Sequence, residues 1–349
     1  MKRLIQQAEA GIPLGLVEIA ELFTAEGGDQ QALYDAADRV RCRRMGDGVH
    51  LRGIIEFSNI CQSDCLYCGI RRSNETVQRY CMEPDEIVAA AEAAWHLGYG
   101  TVVLQSGEAL ALSSERLADV VRRIKAATPL AVTLSVGERS YAEYELWREA
   151  GADRYLMRHE TADPALFADL RPRHTLNERI QCLLDLRSLG YQIGSGFMVG
   201  LPGQTPDSLA ADVDLLRDLQ VEMAGIGPFI PSPGTPLAMD TGGTLDMTLK
   251  AVAITRLCLP NAHLPATTAV GSIHPRGRQL ALHCGANVIM PNVTPQAYRE
   301  QYQLYPNKIC LKEEPRHCAL CVTALVCGGG RHVAEGPGHS PHQGPWQSA

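Results

Sequence analysis

Aromatic side chains are scarce: Phe, Trp and Tyr make up 5% of the 349 residues. Single-stranded nucleic acid is bound on stacking platforms of such rings, so that role is excluded. Positive charge is also short. Lys and Arg number 32 against 39 Asp and Glu, a net charge of −7, opposite to the basic footprint of a nucleic-acid or membrane-surface binder. No apolar run approaches the ~18 residues that a spanning helix needs. The opening segment Met1-Lys2-Arg3-Leu4-Ile5-Gln6-Gln7 lacks the apolar core of a signal peptide. A cytoplasmic location is expected, with neither nucleic acid nor membrane as partner. At 45% hydrophobic and 20% charged residues, the composition also excludes wholesale disorder.

Cysteine is abundant. Of twelve, seven fall in two clusters, at 61–68 and at 310–327. In a chain expected in a reducing compartment, clustered cysteines read as metal ligands or redox thiols rather than a disulfide framework. The other five (Cys42, Cys81, Cys182, Cys258 and Cys284) stand singly and read as small buried hydrophobes.

Residues 1–47 carry helical periodicity, with Ile5, Ala8, Ile12 and Leu16 on one face and a break at Gly27-Gly28-Asp29. From residue 48 the pattern changes to eight short β-branched runs, at 49–57, 101–105, 131–136, 154–158, 192–199, 223–230, 265–270 and 287–290. Amphipathic helical stretches lie between most of them, several ending at Gly98, Gly151 or Gly190. Alternating strands and helices imply a parallel sheet covered by helices. Eight units fit a closed (β/α)8 TIM-type barrel over 48–305, with an N-terminal helical extension over 1–47. An open doubly wound sheet is the alternative, weakened because no Gly-rich dinucleotide fingerprint follows the first strand. Residues 306–349 form a C-terminal segment with the second cysteine cluster, and the Gly-, Pro-, His- and Ser-rich stretch from 328 is expected to be a loose tail.

The first strand runs into Cys61-Gln62-Ser63-Asp64-Cys65-Leu66-Tyr67-Cys68. Three thiolates at C-x3-C-x2-C spacing can wrap one [4Fe–4S] cubane and leave its fourth iron without a protein ligand. A molecule carrying an amine and a carboxylate could chelate that iron. A zinc knuckle is the alternative, but zinc sites usually bring cysteines as separated pairs and close the coordination sphere. The segment resembles the signature of the radical S-adenosylmethionine (SAM) enzymes. That resemblance implies that the open iron binds the methionyl amine and carboxylate of SAM, which is cleaved to a 5′-deoxyadenosyl radical. It also implies that Tyr67 lies beside the adenine.

In such a barrel the C-terminal strand ends face the active site. Strand two ends at Gln105-Ser106-Gly107-Glu108, strand three at Ser135, and strand four at Arg158-His159-Glu160. Alternation sends Arg158 and Glu160 to one face, suited to a carboxylate and a ribose diol respectively. Arg179, at the start of the next helix, suits bidentate carboxylate binding. By the resemblance, Glu108 lies near the methionyl amine, and the glycine turn after Met198 lines the adenosine. Glu108 also reads as a solvated turn residue, and Ser135 as bonded to its own backbone. Thr267 and Thr268 offer adjacent hydroxyls for a substrate carboxylate, and Tyr302 is a further substrate candidate.

Five runs, at 55–59, 104–108, 158–161, 225–231 and 265–268, closely resemble the HydE family, the radical SAM maturases of [FeFe]-hydrogenase. The resemblance covers about 30–325. It implies a small, cysteine-derived, iron-bound substrate, companion maturases and a low-potential electron donor. The spacing of Cys310, Cys318 and Cys321 matches the auxiliary iron–sulfur cluster, [2Fe–2S] or [4Fe–4S], found in some family members; Cys327 lies outside that pattern. Methylornithine synthase and biotin synthase are the alternatives within the same branch. An iron–sulfur electron carrier is the alternative outside enzymes, disfavoured by the missing fourth cysteine and by Glu108, Glu160 and Arg179.

Overall fold

The computed structural model describes residues 1–109 and 111–341. Among the described residues ten strands follow one another: β1 (Gly48–Ser58), β2 (Thr101–Ser106), β3 (Ala131–Ser135), β4 (Arg154–Leu156), β5 (Gln192–Ser195), β6 (Met198–Val199), β7 (Met223–Ala224), β8 (Gly227–Pro228), β9 (Val288–Ile289) and β10 (His332–Val333). Every named pair is parallel, in the order β1-β2-β3-β4-β5-β7, and β9 lies on the other side of β1. Single-residue parallel bridges, Met223 to His263 and Pro265 to Val288, carry the ring from β7 to β9. The strands thus close on themselves as a TIM-type barrel, and helices cover the outside.

The local reasons are visible in the sequence. β2 reads Thr-Val-Val-Leu-Gln-Ser and is buried on both faces over its first four residues, as a barrel strand under helices must be. The helix Pro84–His96 starts with Pro at its first turn, and Glu86 reaches back to accept from the Glu83 amide at 2.9 Å. Gly98, Gly151 and Gly190 sit at positive φ just past their helices. The helix Ser114–Ala127 buries Leu117, Val120, Val121 and Ile124 against the sheet, each worth about 1.5–3 kcal/mol of apolar transfer. Three N-terminal helices, Lys2–Glu9, Leu16–Phe23 and Gly27–Met45, pack outside the barrel on the helices Pro206–Asp218 and Leu245–Cys258.

Three sequence expectations need correction. The run 192–199 is not one strand but two, β5 and β6, and 223–230 likewise divides into β7 and β8. The run 265–270 supplies only the bridge at Pro265, because the helix Thr268–Ile273 begins there, with Thr267 as its cap accepting from the Val270 amide. Two β-branched threonines looked like strand in sequence, but a hydroxyl three residues before a free amide is also a helix cap. The tail is not loose where it is described. β10 pairs with β1, and residues 334–339 lie under the lower, N-terminal mouth of the barrel. Residues 342–349 fall outside the described residues.

Candidate active site

One cavity of about 310 Å³ occupies the barrel interior and opens among the strand ends. Cys61, Cys65 and Cys68 line it from the loop after β1, with Tyr67 between the last two. Burial pushes the Cys65 thiol up to about 11 and raises Cys61 and Cys68 as well. Such thiols are poor free nucleophiles, and a cationic metal is what would ionise them. The donor set therefore fits an iron–sulfur cluster: three soft sulfurs on one short loop, facing a cavity rather than a fourth cysteine.

A carboxylate lies beside them. Glu108 accepts from Arg171 at 2.9 and 3.1 Å, from Arg179 at 3.1 Å and from the Ser63 hydroxyl at 2.9 Å. Burial alone would raise its pKa, but the Arg179 and Arg171 guanidinium groups outweigh that and hold it well below the usual carboxylate range. It is an anion aimed into the cavity. Two glycines make its position possible. A Cβ at Gly107 would come within 2.4 Å of the Ile60 carbonyl, and one at Gly137 within 2.2 Å of the Glu108 Cγ. Arg179 also meets Glu138 at 3.0 Å, which in turn accepts from His174 Nδ1 at 2.9 Å.

Tyr67, Met198, Leu201 and Phe229 form a small apolar cluster next to Cys65 and separate from the main core. The backbone of this wall is held by Gln204, which accepts from the Gly200 amide at 2.7 Å and donates to the Met198 carbonyl at 2.9 Å. A flat aromatic ligand fits such a wall. Glu160 sits at its edge in a left-handed conformation, φ 70°. Its amide donates to the Gly196 carbonyl, and its carbonyl accepts from the Met198 amide. Arg158 meets the Glu160 carboxylate at 3.1 Å, and both side chains line the cavity, while His159 between them points away to Ser195 and Asp212.

Across the cavity, Gln105 donates to the Tyr302 hydroxyl at 3.1 Å. Ser135, Thr267 and Thr268 complete the set, so each residue singled out on the barrel for cofactor or substrate lines this one cavity. Thr267 and Thr268 do so from a helix start rather than a strand end. Cys310, Cys318 and Cys321 lie elsewhere. Cys318 and Cys321 are on the helix Pro315–Gly328, and Cys310 precedes it at φ 65°. The neighbouring Cys318 thiol lowers the Cys310 pKa. Cys321 and Cys327 are exposed.

Sequence reading missed Arg171, Glu138, His174 and Ser63 around Glu108, and a buried pair of Lys308 with Glu56. Ser63 and Glu56 lay inside runs already in view. Arg171, Glu138, His174 and Lys308 come from loops and helix ends whose convergence has no local spacing.

Residues 55–216 match the Radical SAM superfamily. The [FeFe] hydrogenase maturase subunit HydE of Thermotoga maritima is 52% identical over 299 residues, 86% of each chain. Among solved structures, methylornithine synthase (PylB) superposes with a TM-score of 0.84 at 25% identity, covering 95% of this chain and 97% of that one. HydG, a maturase of the [FeFe]-hydrogenase, reaches 0.80 at 17% identity over 95% of this chain and 75% of its own, a likeness of fold alone. A cysteine loop over a barrel cavity, with this match, defines a radical SAM enzyme. Within that superfamily the chain belongs to the HydE family.

Proposed function

We propose that this chain cleaves SAM reductively and acts on a small, cysteine-derived, iron-bound molecule during assembly of the diiron subcluster of [FeFe]-hydrogenase. The observation that carries it is the single cavity in which the three-cysteine loop, Glu108 and the substrate-side residues meet, together with the relationship to HydE. Cys61, Cys65 and Cys68 would hold a [4Fe–4S] cluster. Cluster and SAM, when bound, supply a one-electron cleavage that yields methionine and a 5′-deoxyadenosyl radical.

The chain's own side chains bind and orient. Glu108 accepts the methionyl amine, and Arg179 faces the carboxylate. Tyr67 and Met198 would line the adenine side, Glu160 would take the ribose diol, and Gln105 and Ser135 offer polar contacts nearby. On the far side Arg158, Thr267, Thr268 and Tyr302 hold the polar groups of the substrate. The barrel wall around the cavity limits the access of water to a reactive radical.

Cys310, Cys318 and Cys321 would hold an auxiliary iron–sulfur cluster, a reading supported by their spacing. Companion maturases and a low-potential electron donor are the partners this reading requires. Twelve free cysteines suit a cytoplasmic setting, and among the described residues no helix is long and apolar enough to cross a membrane.

The test is anaerobic maturation. Reconstituted protein is added to apo-hydrogenase with the companion maturases, SAM and reductant, and hydrogen evolution is followed. Activity that needs this protein is expected, and alanine at Cys61, Cys65 or Cys68 should abolish both it and 5′-deoxyadenosine formation. Deoxyadenosine without maturation would leave a radical SAM enzyme of another substrate, with lysine tested next. Deoxyadenosine from a cysteine variant would sink the mechanism.

A further inference from the structure

Arg171 touches more of the site than binding SAM requires. It caps the helix Pro164–Leu170, its amide donating to the Phe167 carbonyl at 2.9 Å, and its guanidinium lies over the Phe167 ring. From there Nη1 donates to the Cys65 sulfur and to the Tyr67 hydroxyl, both at 3.3 Å, while Nη2 bridges the two oxygens of Glu108. The side chain is 3% exposed. Among the described residues, it is the cationic group with a hydrogen bond to one of the three loop sulfurs.

We infer that Arg171 sets the reduction potential of the cluster held by Cys61, Cys65 and Cys68, and links that potential to occupancy of the Glu108 carboxylate. This rests on the cluster placement proposed above. Reduction adds one electron from a one-electron reductant to the cluster, and no bond breaks. The added negative charge spreads over iron, sulfide and thiolate sulfur, so a fixed cation donating to Cys65 stabilises the reduced form more than the oxidised one. Burial keeps solvent and salt from screening it. The same guanidinium holds the anion that receives the SAM amine. A ligand that draws on Glu108 therefore changes the charge Arg171 presents to Cys65, and by linkage the effect runs both ways.

A plain counter-ion for Glu108 would predict otherwise, and Arg179 provides the contrast. It also pairs with Glu108, at 3.1 Å, but makes no hydrogen bond to a loop sulfur. The experiment is an anaerobic redox titration of the reconstituted full-length protein without SAM, following the electron paramagnetic resonance signal of the reduced cluster. R171Q should make the cluster about tenfold harder to reduce, about 59 mV for one electron, whereas R179Q, which reaches the cluster only through Glu108, should shift the SAM-free potential by clearly less. Adding SAM should shift the potential less in R171Q than in the wild type. If R171Q does not hold iron, R171K keeps the charge, and its altered reach should shift the potential in the same direction. An unchanged potential in R171Q or, failing that variant, in R171K overturns the inference, as does an equal shift in R179Q. A wild-type protein with no [4Fe–4S] signal would instead overturn the cluster placement.

Discussion

At the upper mouth of the barrel Arg171 and Arg179 both pair with Glu108, and Arg179 also pairs with Glu138. At the lower mouth Arg52 and Arg154 are as deeply buried but form no ion pair among the described residues. Arg154 donates to Thr101, Gln192 and the Pro337 carbonyl, and lies 2.9 Å from His339 Nδ1. Arg52 donates to the Gly338 carbonyl, meets the Met223 sulfur, and has no partner for its Nε. Burial lowers the Arg154 pKa to about 10 and pushes Arg52 down further, with Arg154 adding to it. The two ends serve different purposes. Paired guanidinium groups can exchange a carboxylate for a charged ligand, whereas carbonyl-capped ones fasten a segment that closes the barrel. That division follows the general rule for such barrels, function above and stability below.

The sharpest way to break the comparison is E108Q. Removing the shared anion leaves Arg171 and Arg179 buried without it, which should cost about 3–5 kcal/mol, read by urea denaturation, and SAM binding should fall with it. The pH dependence has a definite sign. Because the folded pKa of Glu108 is depressed, its contribution is complete above its unfolded value of about 4.3 and fades as pH falls through the folded one. Wild type and variant should therefore converge in acid. Separate curves down to the lowest pH tested would show that the pairing is not what stabilises this end.

Truncation after Glu335, which keeps β10, probes the lower mouth. It removes the acceptors of Arg154, Arg52 and Thr101 supplied by the Pro337 and Gly338 carbonyls, with an expected loss of about 2–3 kcal/mol seen as a lower Tm. An unchanged Tm would mean that water serves these groups as well as the tail does.

R52M should go the other way. A buried cation without an anion is replaced by an apolar chain beside Met223, and a gain of about 1 kcal/mol in the chemical melt is expected. A loss would show that Arg52 is better satisfied than its contacts suggest.

The smallest effect belongs to the N-terminal helices. Glu9 is held down to about 2, chiefly by its hydrogen bond from Arg39 and also by Arg43. This solvent-facing pairing is present above its unfolded value and is lost as pH falls towards 2. E9Q should change stability by less than about 1 kcal/mol, and the change should shrink further in high salt.

Much of the site was legible because its residues sit at strand ends. Gln105, Glu108, Ser135, Arg158 and Glu160 each lie at or just past the end of a short run read as a strand, and a parallel barrel sends those ends to one mouth. Thr267 and Thr268 were placed in the right cavity by the wrong element, since a threonine pair satisfies both strand propensity and a helix cap. The tail misled because its composition resembles a linker. Its order comes from buried donors more than a hundred residues away in the chain, Thr101 and Arg154 among them.

The alternation that makes a barrel, the three-cysteine loop and the strand-end set can be read along the chain, because each is a matter of spacing within one element or at its end. Folding is what brings Arg171 to Cys65 and Glu108 together, sets His174 and Glu138 behind them, and lays the tail across the lower mouth. Those contacts join groups from separate loops and helix ends. Their geometry depends on how the ring of strands closes, and no local period in the chain records it.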